Sequence, residues 1–113
     1  MTAEPTTYHF VLTSQRFLFE EEPFEEVLEE RYRYYEEHGK DIDFWPVKQP
    51  AFLEAPEFAD AKARCPEPPV AIVTTDLDFA NWLKLRLEYV IAGSFVAPCA
   101  AIPDAIASLE SVA

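Results

Sequence analysis

The sequence predicts an α+β fold: a two-layer antiparallel sheet with helices packed on it, arranged as a ferredoxin-like (split βαβ) plait with an insertion and a C-terminal helix. Three observations carry this prediction. Short β-branched and aromatic runs alternate with longer three- and four-residue apolar repeats, so the order reads β-α-β, then an excursion, then β-α-β. The excursion, residues 50–69, holds five of the ten prolines (50, 56, 66, 68, 69). The chain, at 113 residues, suits one domain over 8–113 behind a disordered tail at 1–7. A four-strand meander with helices on both faces is the alternative arrangement.

Residues 8–13 (YHFVLT) form the first expected strand. An acidic and aromatic connection follows, and Pro23 then stands where a first helical turn tolerates it. Phe24, Val27, Leu28, Tyr32 and Tyr35 fall on one side of the helix that begins there. Gly39 ends it, because a left-handed cap costs glycine least. Residues 42–48 (IDFWPVK) make a second strand, with Ile42, Phe44 and Pro46 on one face and Asp43, Trp45 and Val47 on the other. Pro46 lacks a ladder donor, which places this strand at an edge or a bulge.

A short helix is expected at 57–64 inside the excursion. The third strand spans 70–75, and Thr75 with Asp78 three residues later resembles a capping box for a helix over 77–87. Residues 89–96 (YVIAGSFV) read as a fourth strand, with Gly93 as a bulge or a point of close approach. A C-terminal helix is expected from Ile102 through Ile106 and Leu109.

Charge narrows the partners. The net charge is −12, from 21 acidic and 9 basic residues. Such a field repels a phosphate backbone and an anionic membrane surface, so neither nucleic acid nor lipid is an expected partner. A basic protein surface is attracted, and salt weakens that attraction. Nine of the acids lie between Glu20 and Glu37. They serve either a solvated helix face or a docking side. No apolar run is long enough to span a membrane, and the N-terminal residues lack the features of a secretory or transit leader. A bacterial cytosol, or an organelle that encodes the protein, is the expected setting. Cys65 and Cys99, 34 positions apart and in no CxxC pair, read as reduced structural thiols.

Catalytic motifs are absent. Gly39 and Gly93 are the only glycines, so neither GxGxxG nor a P-loop can be written. The residues three before His9 and His38 are Thr6 and Tyr35, not the glutamates of a di-iron carboxylate motif. No serine lies in a GxSxG context. No catalytic residue, metal ligand or cofactor is therefore assigned.

Two groups of residues stand out instead. Asp43, Phe44 and Trp45 place an acid and two aromatics on an expected edge strand, where Phe44 is core and Trp45 half-covered in the plainer reading. The helix at 77–87 turns Ala80, Leu83 and Leu87 toward the sheet, leaving Trp82, Leu85 and Arg86 on its other side. That second stripe is covered by the terminal helix or the excursion, or it is open to a partner. Trp and Arg dominate interfaces because they combine contact area with directed hydrogen bonds.

Residues 14–31 (SQRFLFEEEPFEEVLEER), 41–58 (DIDFWPVKQPAFLEAPEF) and 81–95 (NWLKLRLEYVIAGSF) resemble a small cyanobacterial and plastid family. Its members assist the magnesium-protoporphyrin IX monomethyl ester oxidative cyclase. The resemblance runs over nearly the whole chain, and VKQPAFLEAP (47–56) is its most specific run. It implies a non-catalytic accessory or assembly factor of chlorophyll biosynthesis that binds the membrane-associated di-iron cyclase, and an α+β fold with an antiparallel sheet. It implies a location in the cyanobacterial cytoplasm or the chloroplast stroma, peripheral to the thylakoid through the partner, without membrane insertion. The family's important Asp-Phe and Arg positions fall on Asp43, Phe44 and Arg86; Trp82 and Leu85 join them from the helix pattern. Pro46 departs from the family, standing where a bulkier apolar residue is expected. The alternative role is that of a binding protein for a porphyrin intermediate of the same pathway, held among aromatics such as Trp45 and Trp82. Homo-oligomeric state is left open.

Overall fold

The computed structural model describes residues 5–22, 24–88 and 90–109. Pro23 in the expected helix start, Tyr89 in the expected fourth strand and residues 1–4 of the expected tail lie outside them. Four strands, β1 (Thr6–Ser14), β2 (Phe44–Lys48), β3 (Pro69–Thr74) and β4 (Ile91–Ala97), form one sheet in the order β2-β3-β1-β4. Every neighbouring pair is antiparallel. With α1 (Glu25–Glu37) between β1 and β2, and α3 (Leu77–Leu87) between β3 and β4, this is the split βαβ plait. β1 begins at Thr6, inside the stretch expected to be tail.

The central strands explain the order. Val11 and Leu12 of β1 and Val70 to Val73 of β3 are all buried, so these strands need cover on both faces. Pleating sends their side chains alternately to opposite sides. Val11 and Ile72 join Leu18, Phe24, Leu28, Tyr35, Phe44, Phe79, Leu83 and Leu87 under the two long helices. Phe10, Leu12, Ala71 and Val73 join Phe52, Leu53, Phe58 and Phe95 on the other side.

The excursion covers that second side. Two 3-10 turns, Ala51–Glu54 and Pro56–Phe58, lead into α2 (Ala59–Arg64) and lay Phe52 and Phe58 against Phe10 and Phe95. Ring centroids in this cluster are 4.7 to 6.1 Å apart, in stacked, tilted and edge-on arrangements worth more than their buried area alone. The prolines at 50 and 56 stand at the starts of these turns, where fixed φ suits them.

Several local expectations change. The C-terminal helix is not formed over 102–109. The segment instead bonds the end of β2 and the start of the excursion: Ala51 N donates to Ala107 O at 2.9 Å, Leu109 N donates to Gln49 O at 2.8 Å, and Ser108 Oγ donates to the Lys48 carbonyl. Ile102 and Ala105 are drawn into the second core, and partners outside the segment replace its i→i−4 bonds. The N-cap of α3 is Asp76, not Thr75: Asp76 Oδ1 accepts from Asp78 N at 3.0 Å and Phe79 N at 3.3 Å. Thr74 Oγ1 accepts from Asp76 N at 3.0 Å, which presents the Asp76 carboxylate to the helix. A short π-helical turn, Phe17–Glu21, occupies the connection before α1.

Other expectations hold. Gly39 closes α1 at φ +61°. β2 is an edge strand, and Pro46 keeps its place opposite Ile72 without breaking the ladder. Gly93 is a point of close approach rather than a bulge: its pairing with Phe10 is one-to-one, and an added Cβ would lie 2.8 Å from Phe10 Cζ. Among the described residues no helix is long and apolar enough to cross a membrane.

Candidate functional site: a groove between α1 and α3

α1 and α3 lie over the same face of the sheet, and an open groove of about 850 Å³ runs between them. Tyr35 and Phe79, both buried, form its floor; Tyr34 and Trp82, about half exposed, form its walls. Helical spacing produces this arrangement. Val27, Arg31, Tyr34 and Tyr35 recur at three- and four-residue steps on α1, as Phe79, Trp82 and Arg86 do on α3. The rings of Trp82 and Phe79 stack at 6.0 Å with 16° between their planes.

Arg31 organises the floor. Its guanidinium lies 3.5 Å from the centre of the Phe79 ring and 5.5 Å from that of Phe44, a cation–π arrangement. Its Nη2 donates to Tyr35 Oη at 2.8 Å, and Asp76 Oδ2 stands 3.7 Å away. Nε is buried without a hydrogen-bond partner, so the aromatic faces supply much of what holds the side chain. Tyr35 Oη in turn donates to Asp43 Oδ1 at 2.6 Å, and Lys40 Nζ approaches the other Asp43 oxygen at 3.8 Å. Burial, followed by the bond to Asp43, raises the pKa of the Tyr35 phenol. The floor is thus a polar chain, Asp76–Arg31–Tyr35–Asp43, laid on an aromatic bed.

The residues singled out in the sequence divide around this groove. Trp82 and Arg86 line it. Arg86 Nη1 lies 3.4 Å from Glu22 Oε2 in an exposed pair. Asp43 sits behind Tyr35, and its carbonyl accepts from Thr74 Oγ1 at 2.8 Å and Thr75 N at 3.1 Å. Phe44 is fully buried beneath, against Tyr32 at 4.7 Å and Phe79 at 5.3 Å, so it shapes the surface without being part of it. Leu85 is 78 % exposed and lies outside the groove lining. Neither the excursion nor the C-terminal segment covers the Trp82–Leu85–Arg86 stripe, since both pack on the far side of the sheet.

Arg31, Tyr34, Lys40 and Asp76 were not singled out in the sequence. The i,i+4 relation of Arg31 and Tyr35 was visible there; their link to Asp43 and Asp76 requires the fold. Trp45 packs half-buried on the opposite face, 6.3 Å from Tyr8.

Among the described residues no three His, Cys, Asp or Glu side chains gather as a metal-ligating group. His38 is exposed, its Nδ1 2.8 Å from the Tyr34 carbonyl. His9 lies opposite Ser94 in the β1–β4 register, and no carboxylate lines the groove they share.

The chain matches the family model described as Ycf54 protein over residues 6–97. It is 64 % identical over 104 residues to the Ycf54-like protein of Synechocystis sp. PCC 6803, covering 92 % of this chain and 78 % of that one. It is 40 % identical over 106 residues to the chloroplastic YCF54 protein of Arabidopsis thaliana, covering 93 % of this chain but 48 % of that longer one. The All0216 structure from Nostoc sp. PCC 7120 superposes with a TM-score of 0.93 at 60 % identity, over 96 % of this chain and 100 % of that one. The Ycf54 structure from Synechocystis gives 0.90 at 61 % identity, over 95 % and 100 %. These relatives are cyanobacterial and chloroplastic, and none is named for a catalytic activity. The chain is therefore a member of the Ycf54 family.

Proposed function

We propose that the protein is a non-catalytic accessory factor of the magnesium-protoporphyrin IX monomethyl ester oxidative cyclase, and that the α1–α3 groove is where the cyclase docks. The observation that supports this reading is the groove itself: an exposed Trp82 beside Arg86, over a floor fixed by Arg31, Tyr35 and Asp43. A large half-exposed ring beside a guanidinium is the pattern of an interface anchor. The rigid chain beneath keeps the ordering cost of binding low. In this role Trp82 and Arg86 contact the partner, Asp43 and Phe44 hold the groove in shape, and Leu85 extends the contact along α3. The factor acts by favouring one conformation of the cyclase, to the extent that it binds that conformation more tightly.

Co-purification tests it. Tagged protein, expressed in Synechocystis, is expected to recover the cyclase, and Trp82→Ala or Arg86→Ala to lose it. Failure of the wild-type protein to recover cyclase overturns the reading. Saturable quenching of Trp82 fluorescence by the magnesium porphyrin ester, at micromolar concentrations and without cyclase, would instead support the porphyrin-binding alternative.

A further inference from the structure

The sheet has two edges, β2 and β4, and they meet solvent differently. β2 is five residues long and contains Pro46 and Lys48, residue types that discourage a further strand. β4 is seven residues long, IAGSFVA, with no charge and no proline. It pairs with β1 residue for residue, without a bulge to twist its edge away. Among the described residues no strand pairs with its outer side. Its helix-side face is bare as well: α3 packs on β1 and β3, leaving Ala92, Ser94 and Val96 exposed, Val96 by 49 %.

We propose that β4 is a self-association edge, pairing antiparallel with β4 of a second copy of this chain so that two four-stranded sheets become one. The uncharged β4 edge is where a second acidic copy meets least repulsion. Each copy carries −12, and nine of the acids lie between Glu20 and Glu37. That segment includes α1, which packs over β2 through the contacts of Tyr32 and Tyr35 with Phe44, at the far edge of the sheet. Joining at β4 keeps the two acid-rich ends apart. A basic strand from another protein finds no carboxylate on β4 to pair with.

The strand is also complementary to itself. A two-fold axis at Ser94, its middle residue, sets Ala92 beside Val96 of the second copy on the helix side. On the other side it sets Gly93 beside Phe95 of the second copy.

Light scattering on the full chain, from micromolar to several hundred micromolar, is expected to show the mass rising from the 12.9 kDa monomer to twice that value. Val96→Lys places a charge at the pairing edge and should weaken the dimer by about tenfold or more. Adding Ala92→Glu should restore it, because each new Lys then faces a new Glu across the axis. Ser94→Cys in a Cys99→Ser background should form an intermolecular disulfide on mild oxidation, since the two-fold axis brings the two sulfurs together. Raising salt should tighten the dimer by screening repulsion between acidic copies, the opposite of its effect on a basic partner. A wild-type protein that stays monomeric over the whole range, or a dimer indifferent to Val96→Lys and lacking the Ser94→Cys cross-link, overturns the proposal. Cyclase recovery by Val96→Lys should equal that of wild type, so this test stands or falls apart from the docking groove.

Discussion

The phenol of Tyr35, in the last turn of α1, donates a 2.6 Å hydrogen bond to Asp43, the residue before β2. Arg31 donates to the same phenol oxygen at 2.8 Å, and Thr74 at the end of β3 holds the Asp43 backbone. One hydroxyl therefore joins the helix that forms half the groove to the strand beneath it. Tyr35→Phe keeps the ring and removes the bridge. It is expected to lower stability by about 1–2 kcal/mol in urea unfolding, because a partly buried bond to a carboxylate is lost.

Stability should fall at alkaline pH, and Tyr35 and Tyr32 set the sign. Burial raises the pKa of both phenols, and the bond to Asp43 raises that of Tyr35 further. A phenol that holds its proton more tightly when folded stabilises the fold fully below its unfolded pKa of about 10, and that contribution is lost as pH rises through the folded value. Tyr35→Phe should flatten this alkaline decline in melting temperature measured against pH.

Phe44 and Arg86 should fail differently. Phe44→Ala empties a fully buried site and is expected to cost about 3–5 kcal/mol of folding stability. Arg86→Ala breaks only an exposed pair with Glu22, so stability should stay within about 1 kcal/mol of wild type. Its cyclase affinity should nevertheless drop by about 1–3 kcal/mol if the residue anchors the docking. Unfolding curves beside pull-downs for both variants separate loss of fold from loss of contact.

Gly93→Ala should be harmful despite its small size. The new methyl would sit 2.8 Å from Phe10 Cζ, and Phe10 is locked among Phe52, Phe58 and Phe95. A cost of about 1–3 kcal/mol is expected from the forced shift. Phe10→Leu in the same chain should recover part of it by vacating that space.

The two thiols should react in sequence. Cys99 is exposed, whereas Cys65 is buried, and burial followed by the charge of Glu67 pushes its pKa up. A chromogenic thiol reagent should modify Cys99 promptly in native protein and Cys65 only once guanidinium unfolds it. Equal rates in native protein would contradict this packing.

Local patterns settled much of this molecule in advance. The three- and four-residue repeats set the limits of α3 at Leu77 and Leu87, Gly39 marked the end of α1, and Pro46 placed β2 at an edge. These features depend on neighbours within a few residues, so a linear reading carries them. The segment from Ile102 has a helical pattern too, yet it forms bends, a turn and a single bridge to Pro50, because the bonds at Gln49 and Ala51 are available only after the chain has folded back. The same limit applies to the groove. Trp82 and Arg86 share a helix face by spacing alone, whereas Asp43, Tyr35, Arg31 and Asp76 meet through contacts between different elements. Periodicity decided which side of each helix is apolar. The packing of α1 and α3 over the sheet decided that the Trp82 stripe stays open, since the excursion and the C-terminal segment were needed to cover the other face.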